Sequence, residues 1–241
     1  MATISSNSNH REPAILPDDV LIEILSRVPY ISICRFKLVS KSWISLCSSP
    51  DVRKRSPQTL AGFFCYASSD HKRRFLSTSG NTTLRPPVDP SFPFLSAFER
   101  FAIMDSCNGL LCRCWTRDSQ EYVVCNPGTQ KWLVLPHSSL RIDEPHIILR
   151  MHLGFEPAVS SHFTVFVFSW FKSTSQQPSC GVELEIFSSE AGEWTSRQRE
   201  WGTKSISTHT FLDAQAVFLN GTLHMTTSYS TMVTVDKDGN T

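Results

Sequence analysis

The densest group of metal-competent side chains in this chain is Cys107, Cys112, Cys114 and Cys125. Their spacing argues against a metal. Structural zinc is gripped by paired C-x2-4-C knuckles, and the C-x-C of Cys112 and Cys114 is not one. On a strand those two point to the same face, where buried free thiols suffice. Eight histidines are scattered at His10, His71, His137, His146, His152, His162, His209 and His224, with no H-E-x-x-H pattern among them. The sequence carries no G-x-S-x-G elbow, no P-loop and no G-x-G-x-x-G. A Ser/His/Asp triad can be assembled on paper from any chain so rich in serine, so that possibility carries no weight. No catalytic residue, cofactor or metal is therefore expected.

Two basic runs, Arg53-Lys-Arg55 and His71-Lys-Arg-Arg74, leave two readings open. They form a small nuclear-import or phosphate-binding patch, or they are solvated loop charge between two domains; the second is favoured. Trp115, Trp132, Trp194 and Trp201 line a ligand surface or, as is commoner for Trp at a hairpin start, pack in the core. The formal net charge is +1, which gives no reason to expect nucleic acid or an acidic membrane as partner. The first fifteen residues are Ser/Asn-rich and lack an apolar stretch, so they are not read as a secretory signal. The longest strongly apolar run, Phe163 to Phe171, is too short to cross a bilayer as a helix, which takes about 20 residues. A soluble intracellular protein is expected, in the nucleus, the cytoplasm or both. Its eight cysteines should be free thiols, and the sequons at Asn81 and Asn220 unused.

The elements that must do the positioning begin with residues 16–47, LPDDVLIEILSRVPYISICRFKLVSKSWISLC. Leu16, Val20, Leu21, Ile24, Leu25 and Val28 fall on one wide helical stripe, and Ile31, Ile33, Phe36, Leu38, Val39, Trp43, Ile44 and Leu46 follow at once. A helix apolar over most of its circumference must be covered, and about forty residues make a poor core alone. Pro17 suits a first helical turn, and Asp18 and Asp19 complement the helix dipole. Pro29 stops the first helix near Val28. Ser32 and Ser40 are expected as N-caps of two shorter helices.

LPDDVLIEIL, SRVP and CRFKLVSKSW, in that order, resemble the F-box as found in plant F-box proteins. The resemblance covers Leu16 to about Cys47. It implies a three-helix module that docks on a Skp-type adaptor and so joins a cullin-based (SCF) ubiquitin ligase. Leu16, Pro17, Leu21, Ile24 and Leu25 would form one contact strip, and Leu38, Val39, Lys41 and Trp43 a second. The competing reading is a helical hairpin whose stripe faces this chain's own β-region.

Four domains or segments are expected: a disordered tail at 1–12, the F-box at 13–50, a linker with one strand (60–67) at 51–97, and a β-domain at 98–241. Four prolines from Pro86 to Pro93 argue against regular structure there. From residue 98 onward, short β-branched and aromatic runs alternate with turn signals. In FTVFVFSWF both faces of the strand are apolar, which predicts a central position in its sheet. The strand YVVC runs into Asn126-Pro-Gly-Thr-Gln-Lys-Trp132, and VELEIF runs into Ser188-Ser-Glu-Ala-Gly-Glu-Trp194; both read as hairpins. Asp236-Lys-Asp-Gly-Asn-Thr241 has the same shape, with its Trp due one position past Thr241. Asn108-Gly-Leu-Leu and Asn220-Gly-Thr-Leu echo each other as strand openings.

SCNGLLC, VVCNPGTQKWLVLP, LGFEP, VELEIFSSEAGEW and VFLNGTLHM resemble the F-box-associated domain of plant F-box proteins, kelch-like or propeller-like. That resemblance implies capture of a ubiquitylation target, with the 137–146 and 172–181 loops as candidate contacts. A closed propeller needs more chain than remains after residue 100, so an incomplete β-domain and a truncated or alternatively spliced product are expected. The fold class is then α+β multidomain: a small three-helix F-box followed by an antiparallel all-β, propeller-like domain. The function implied is a non-catalytic substrate-recognition subunit of an SCF-type ligase. Its partners are a Skp-type adaptor, through it a cullin, and an unknown protein target, with no nucleic acid and no membrane. The alternative is a truncated adaptor binder that is non-productive or regulatory.

Overall fold

The computed structural model describes residues 16–56, 60–67, 72–78, 88–95, 101–115, 121–138, 150–172, 180–199, 215–226 and 232–240. The expected tail at 1–12 lies outside these residues, as do most of the 137–146 and 172–181 loops. The chain divides into two compact units, Met1–Thr59 and Leu60–Thr241.

Among the described residues the first unit has four helices: α1 (Asp18–Leu25), α2 (Tyr30–Phe36), α3 (Lys41–Cys47) and α4 (Pro50–Arg55). Each start has a local cause. Pro17 sits at the N-cap of α1, one position before the expected N1 site, and its carbonyl accepts from the N–H groups of Val20 and Leu21 at 3.1 Å. Pro29 caps α2 in the same extended conformation, so Ser32 lies inside that helix and is not a cap. Ser40 is one: its hydroxyl accepts the Trp43 N–H at 3.3 Å. Ser49 accepts the Val52 N–H at 3.3 Å, and Pro50 follows in the first turn of α4.

That fourth helix lies beyond the expected limit of residue 50 and exceeds the three helices anticipated. Its role is to plug the core, because Val52 is fully buried beside Leu25, Ile33 and Cys47. Ile22, Val28, Phe36, Trp43 and Leu46 pack around this cluster. Glu23 fastens the two ends of the unit together, accepting from Arg27 one turn along and from Arg55 on α4.

The second unit is built from antiparallel sheets. β1 (Gly62–Ala67) and β2 (Lys72–Ser77) form a hairpin. Thus Lys72, Arg73 and Arg74 of the basic run lie in a strand rather than a loop, with Arg73 and Phe75 turned inward and Lys72, Arg74 and Leu76 outward. The proline-rich connector also contributes to the core. A short 3-10 turn, Pro93–Leu95, buries Phe92 and Leu95 against Leu111, Val123 and Cys125.

Three meanders follow. The first is β3 (Phe101–Cys107), β4 (Leu110–Trp115), β5 (Tyr122–Asn126) and β6 (Lys131–Val134), hydrogen-bonded in that order. The second is β7 (Arg150–Phe155), β8 (Phe163–Lys172), β9 (Cys180–Ser188) and β10 (Glu193–Arg199), and the third is β11 (Ala216–Leu219), β12 (Thr222–Thr226) and β13 (Met232–Asp236). The expected interior strand FTVFVFSWF is β8, paired on both sides. Its alternation divides two cores. Val165 and Val167 pack with Cys112, Tyr122, Val124, Met151 and Leu153, towards the first sheet. Phe166 and Phe168 pack with Leu223, Met225 and Val235, towards the third. A strand buried on both faces by neighbouring sheets belongs to stacked blades, and the architecture is antiparallel, all-β and propeller-like.

Candidate functional site

Among the described residues, two candidate places stand out: an apolar face of the helical unit, and the junction of the three meanders.

On the helical unit, the expected first strip divides by burial. Val20 and Ile24, four residues apart, lie on one face of α1 and are exposed, as are Leu16 and Pro17 just before the helix. Leu21 is half-buried. Leu25 is only 2% exposed and belongs to the internal core, which corrects its expected place among the contacts. It supports the strip from beneath. The second strip is presented by the turn between α2 and α3, where Leu38 is 86% and Val39 65% exposed. Lys41 is exposed, while Trp43 is half-buried with its ring 5.5 Å from that of Phe36. Val20 and Ile44 are further exposed apolar residues outside the expected set. Both stand in the apolar runs of the sequence, and packing decides that they are exposed.

Three charges of this unit are paired with one another: Glu23 with Arg27 and Arg55. Hydrogen bonds from Arg27 and Arg55 hold the Glu23 carboxyl below the usual range for a glutamate. Arg55 is thus engaged within the unit rather than offered with Arg53 and Lys54 as a basic patch.

In the β-unit, the first strands of the three meanders run side by side in parallel. Asp105 on β3 accepts the Leu153 N–H of β7 at 2.8 Å. Two residues further on, the Phe155 carbonyl accepts from the Cys107 thiol and from the Asn108 side-chain amide, the latter at 2.7 Å. Glu156 then accepts the backbone N–H groups of Asn220 and Gly221, at 2.6 and 2.9 Å. Both Asn-Gly pairs close two-residue hairpins with positive φ at each position: 44° and 85° at Asn108-Gly109, 52° and 75° at Asn220-Gly221. The LGFEP segment thereby holds one meander's turn through Phe155 and the next one's through Glu156.

At the other end of these strands, Asp105, Arg150, His152 and Gln215 line a cavity of about 400 Å³ between β3, β7 and β11. Buried here without a hydrogen-bond partner among the described residues are Arg150 Nε and His152 Nε2. No sequence signal marked this place, because its residues come from three distant segments.

The cysteines go to separate environments. Cys107 bonds to Phe155, Cys112 packs beside Met151, and Cys125 lies in the cluster of Phe92 and Leu95. Burial raises the Cys107 thiol pKa above its ordinary value. Trp194 meets the expectation of core packing, lying beside Tyr122 and Phe187, but Trp132 opens its hairpin strand exposed.

Residues 14–55 match the F-box domain, and residues 90–237 match the beta-propeller of the F-box protein At3g26010-like family. The chain belongs to that F-box protein family. Similar proteins from Arabidopsis thaliana include F-box protein At5g07610, 32% identical over 223 residues, covering 86% of this chain and 50% of the relative. F-box protein At5g49610 is 28% identical over 233 residues, covering 90% of this chain and 59% of the relative. F-box protein At5g18160 is 30% identical over 166 residues, covering 65% and 41%. The chain therefore spans about half the length of the curated relatives it matches. The F-box match ends at residue 55, the last residue of α4, so the F-box of this protein includes the helix that supplies Val52. Among the described residues, no helix is long and apolar enough to cross a membrane.

Proposed function

We propose that this F-box protein is the substrate-recognition subunit of an SCF-type ubiquitin ligase. Its helical unit binds a Skp-type adaptor, and through it a cullin, with Leu16, Pro17, Leu21, Ile24, Leu38, Val39, Lys41 and Trp43. Its β-domain captures a protein target. The observation that carries this reading is the exposure of Leu38 and Val39 at 86% and 65%, together with the exposed apolar residues Val20 and Ile24 of α1. An apolar turn so bare on a unit whose own core is already filled supports a docking role.

The energetics are hydrophobic. Covering a Leu, Ile or Val side chain is worth ~1.5–3 kcal/mol when it starts fully exposed. Leu38 recovers most of that; half-exposed Leu16 and Ile24 recover about half. Association costs at least ~4 kcal/mol, so several of these side chains must be covered together. The chain supplies proximity between target and ligase, and transfer chemistry belongs to other subunits. A soluble protein of nucleus or cytoplasm fits this role. The test is a pull-down with purified Skp-type adaptor. Leu16→Ala combined with Pro17→Ala should weaken or abolish capture; undiminished capture would refute the reading.

A further inference from the structure

The cavity between β3, β7 and β11 holds a polar arrangement that the fold itself does not use. Arg150 and His152 are two residues apart on β7, so both project from the same side of the strand, about 7 Å apart along it. Their neighbours Met151 and Leu153 point the other way, into the core shared with the first sheet. His152 is 8% exposed, with its ring edge-on to Phe168 at 6.1 Å. Its Nδ1 lies 3.5 Å from Asp105 Oδ2. Asp105 is otherwise occupied, accepting the Leu153 N–H at Oδ2 and the Ser106 N–H at Oδ1.

Among the described residues, this leaves two buried nitrogen atoms without partners, His152 Nε2 and Arg150 Nε, on residues that line one cavity. Leaving buried polar atoms unpaired is costly, and such atoms in a cleft point to a ligand. The Arg150 Nε–H can only donate. His152, with Nδ1–H turned to Asp105, presents Nε2 as an acceptor when neutral and as a donor when protonated. An acid group satisfies both nitrogens in either case. One of its oxygens accepts from Arg150, and the other shares a proton with His152, whichever atom holds it. An amine would meet Arg150 donor to donor, and an apolar group would satisfy neither.

We propose that the junction of the three meanders is an oxyacid site. It takes a carboxylate or phosphate group of the molecule that the β-domain captures, with Arg150 and His152 as its partners and Asp105 as the positioning residue that orients the imidazole. The identity of that molecule as the ligase target rests on the reading given under Proposed function; the site's chemistry does not.

The test uses the full chain, free acetate and inorganic phosphate as probes, and the side-chain nitrogen resonances of protein labelled with 15N-histidine. Saturable movement of the His152 signal with either probe is expected. Acetate alone would mark a carboxylate site, phosphate alone a phosphoryl site, and each outcome supports an oxyacid ligand. Arg150→Gln should weaken binding by about tenfold or more, since it replaces a charge-assisted bond by a neutral one. Lys72→Gln, on the separate β1–β2 hairpin, should leave it unchanged. Non-saturable drift, or equal binding by Arg150→Gln with an unchanged melting temperature, would overturn the proposal. Capture of the Skp-type adaptor by the parent chain is measured in parallel. A parent chain that captures the adaptor but gives no saturable probe response refutes the oxyacid site alone, and one that gives the response but does not capture the adaptor refutes the ligase reading alone.

Discussion

The carboxylate of Glu156 faces the backbone of Asn220, accepting its N–H at 2.6 Å while also taking that of Gly221 at 2.9 Å. The residue that follows one meander's first strand thus fixes the tightest turn of the next. In a stack of sheets joined mainly by apolar packing, such a bond sets the register between neighbours.

Glu156→Ala should therefore destabilise the β-domain by about 1.5–3 kcal/mol, the usual worth of hydrogen bonds to a charged acceptor. Glu156→Gln keeps one acceptor oxygen and should lose roughly half as much. Thermal unfolding of the two variants checks the order, and a Glu156→Ala protein as stable as its parent would remove this contact from the account.

Gly154 provides a steric check on the same interface. A Cβ added there would stand 2.6 Å from the Phe218 ring across the strands β7 and β11. Gly154→Ala should cost about 1–3 kcal/mol through overpacking. Pairing it with Phe218→Leu, which shortens the obstructing side chain, should restore part of the loss in a denaturant melt.

Leu25 and Leu38 should separate stability from binding. Leu25 lies in the internal core, so Leu25→Ala should cost about 2–5 kcal/mol of the helical unit's stability. Leu38 is nearly bare, and Leu38→Ala should stay within about 0.5 kcal/mol of the parent. Circular dichroism melts of the two variants, read at the helical signal, decide this.

Glu23 predicts a pH response. Its hydrogen bonds with Arg27 and Arg55 lower its folded-state pKa from an ordinary value of 4.5. A depressed carboxylate contributes stability that is complete above the unfolded value. That contribution is lost as pH falls from about 4.5 through the lower folded value. The helical unit should weaken across that acidic window, and Glu23→Gln should flatten the dependence. An unchanged slope in the variant would mean the exposed pair contributes nothing measurable, as many surface ion pairs do.

Much of the fold was legible because its signals are local. β8 announces itself through apolar residues on both alternating faces, and the Asn-Gly pairs name their hairpins. What escaped had its pattern masked by charge or by brevity. In β2 the inward Arg73 and outward Lys72 and Arg74 hide the alternation. In α4 a single apolar residue, Val52, stands among six, too few for a helical period to show. The binding face was legible only in part. The stripe from Leu16 to Val28 is continuous in sequence, and only packing by the later helices decides that Leu25 turns in while Ile24 turns out. The junction of Asp105, Arg150 and His152 joins strands far apart in the chain, and periodicity carries no information about such a meeting.

The central claim is that the apolar turn and α1 face exist to be covered by an adaptor. The most direct measurement is calorimetric titration of a purified Skp-type adaptor into the parent chain and into Leu38→Ala combined with Val39→Ala. Removing two side chains worth ~1.5 kcal/mol or more each predicts about a hundredfold or greater loss of affinity, at an unchanged melting temperature. Equal affinity in the two proteins would contradict it.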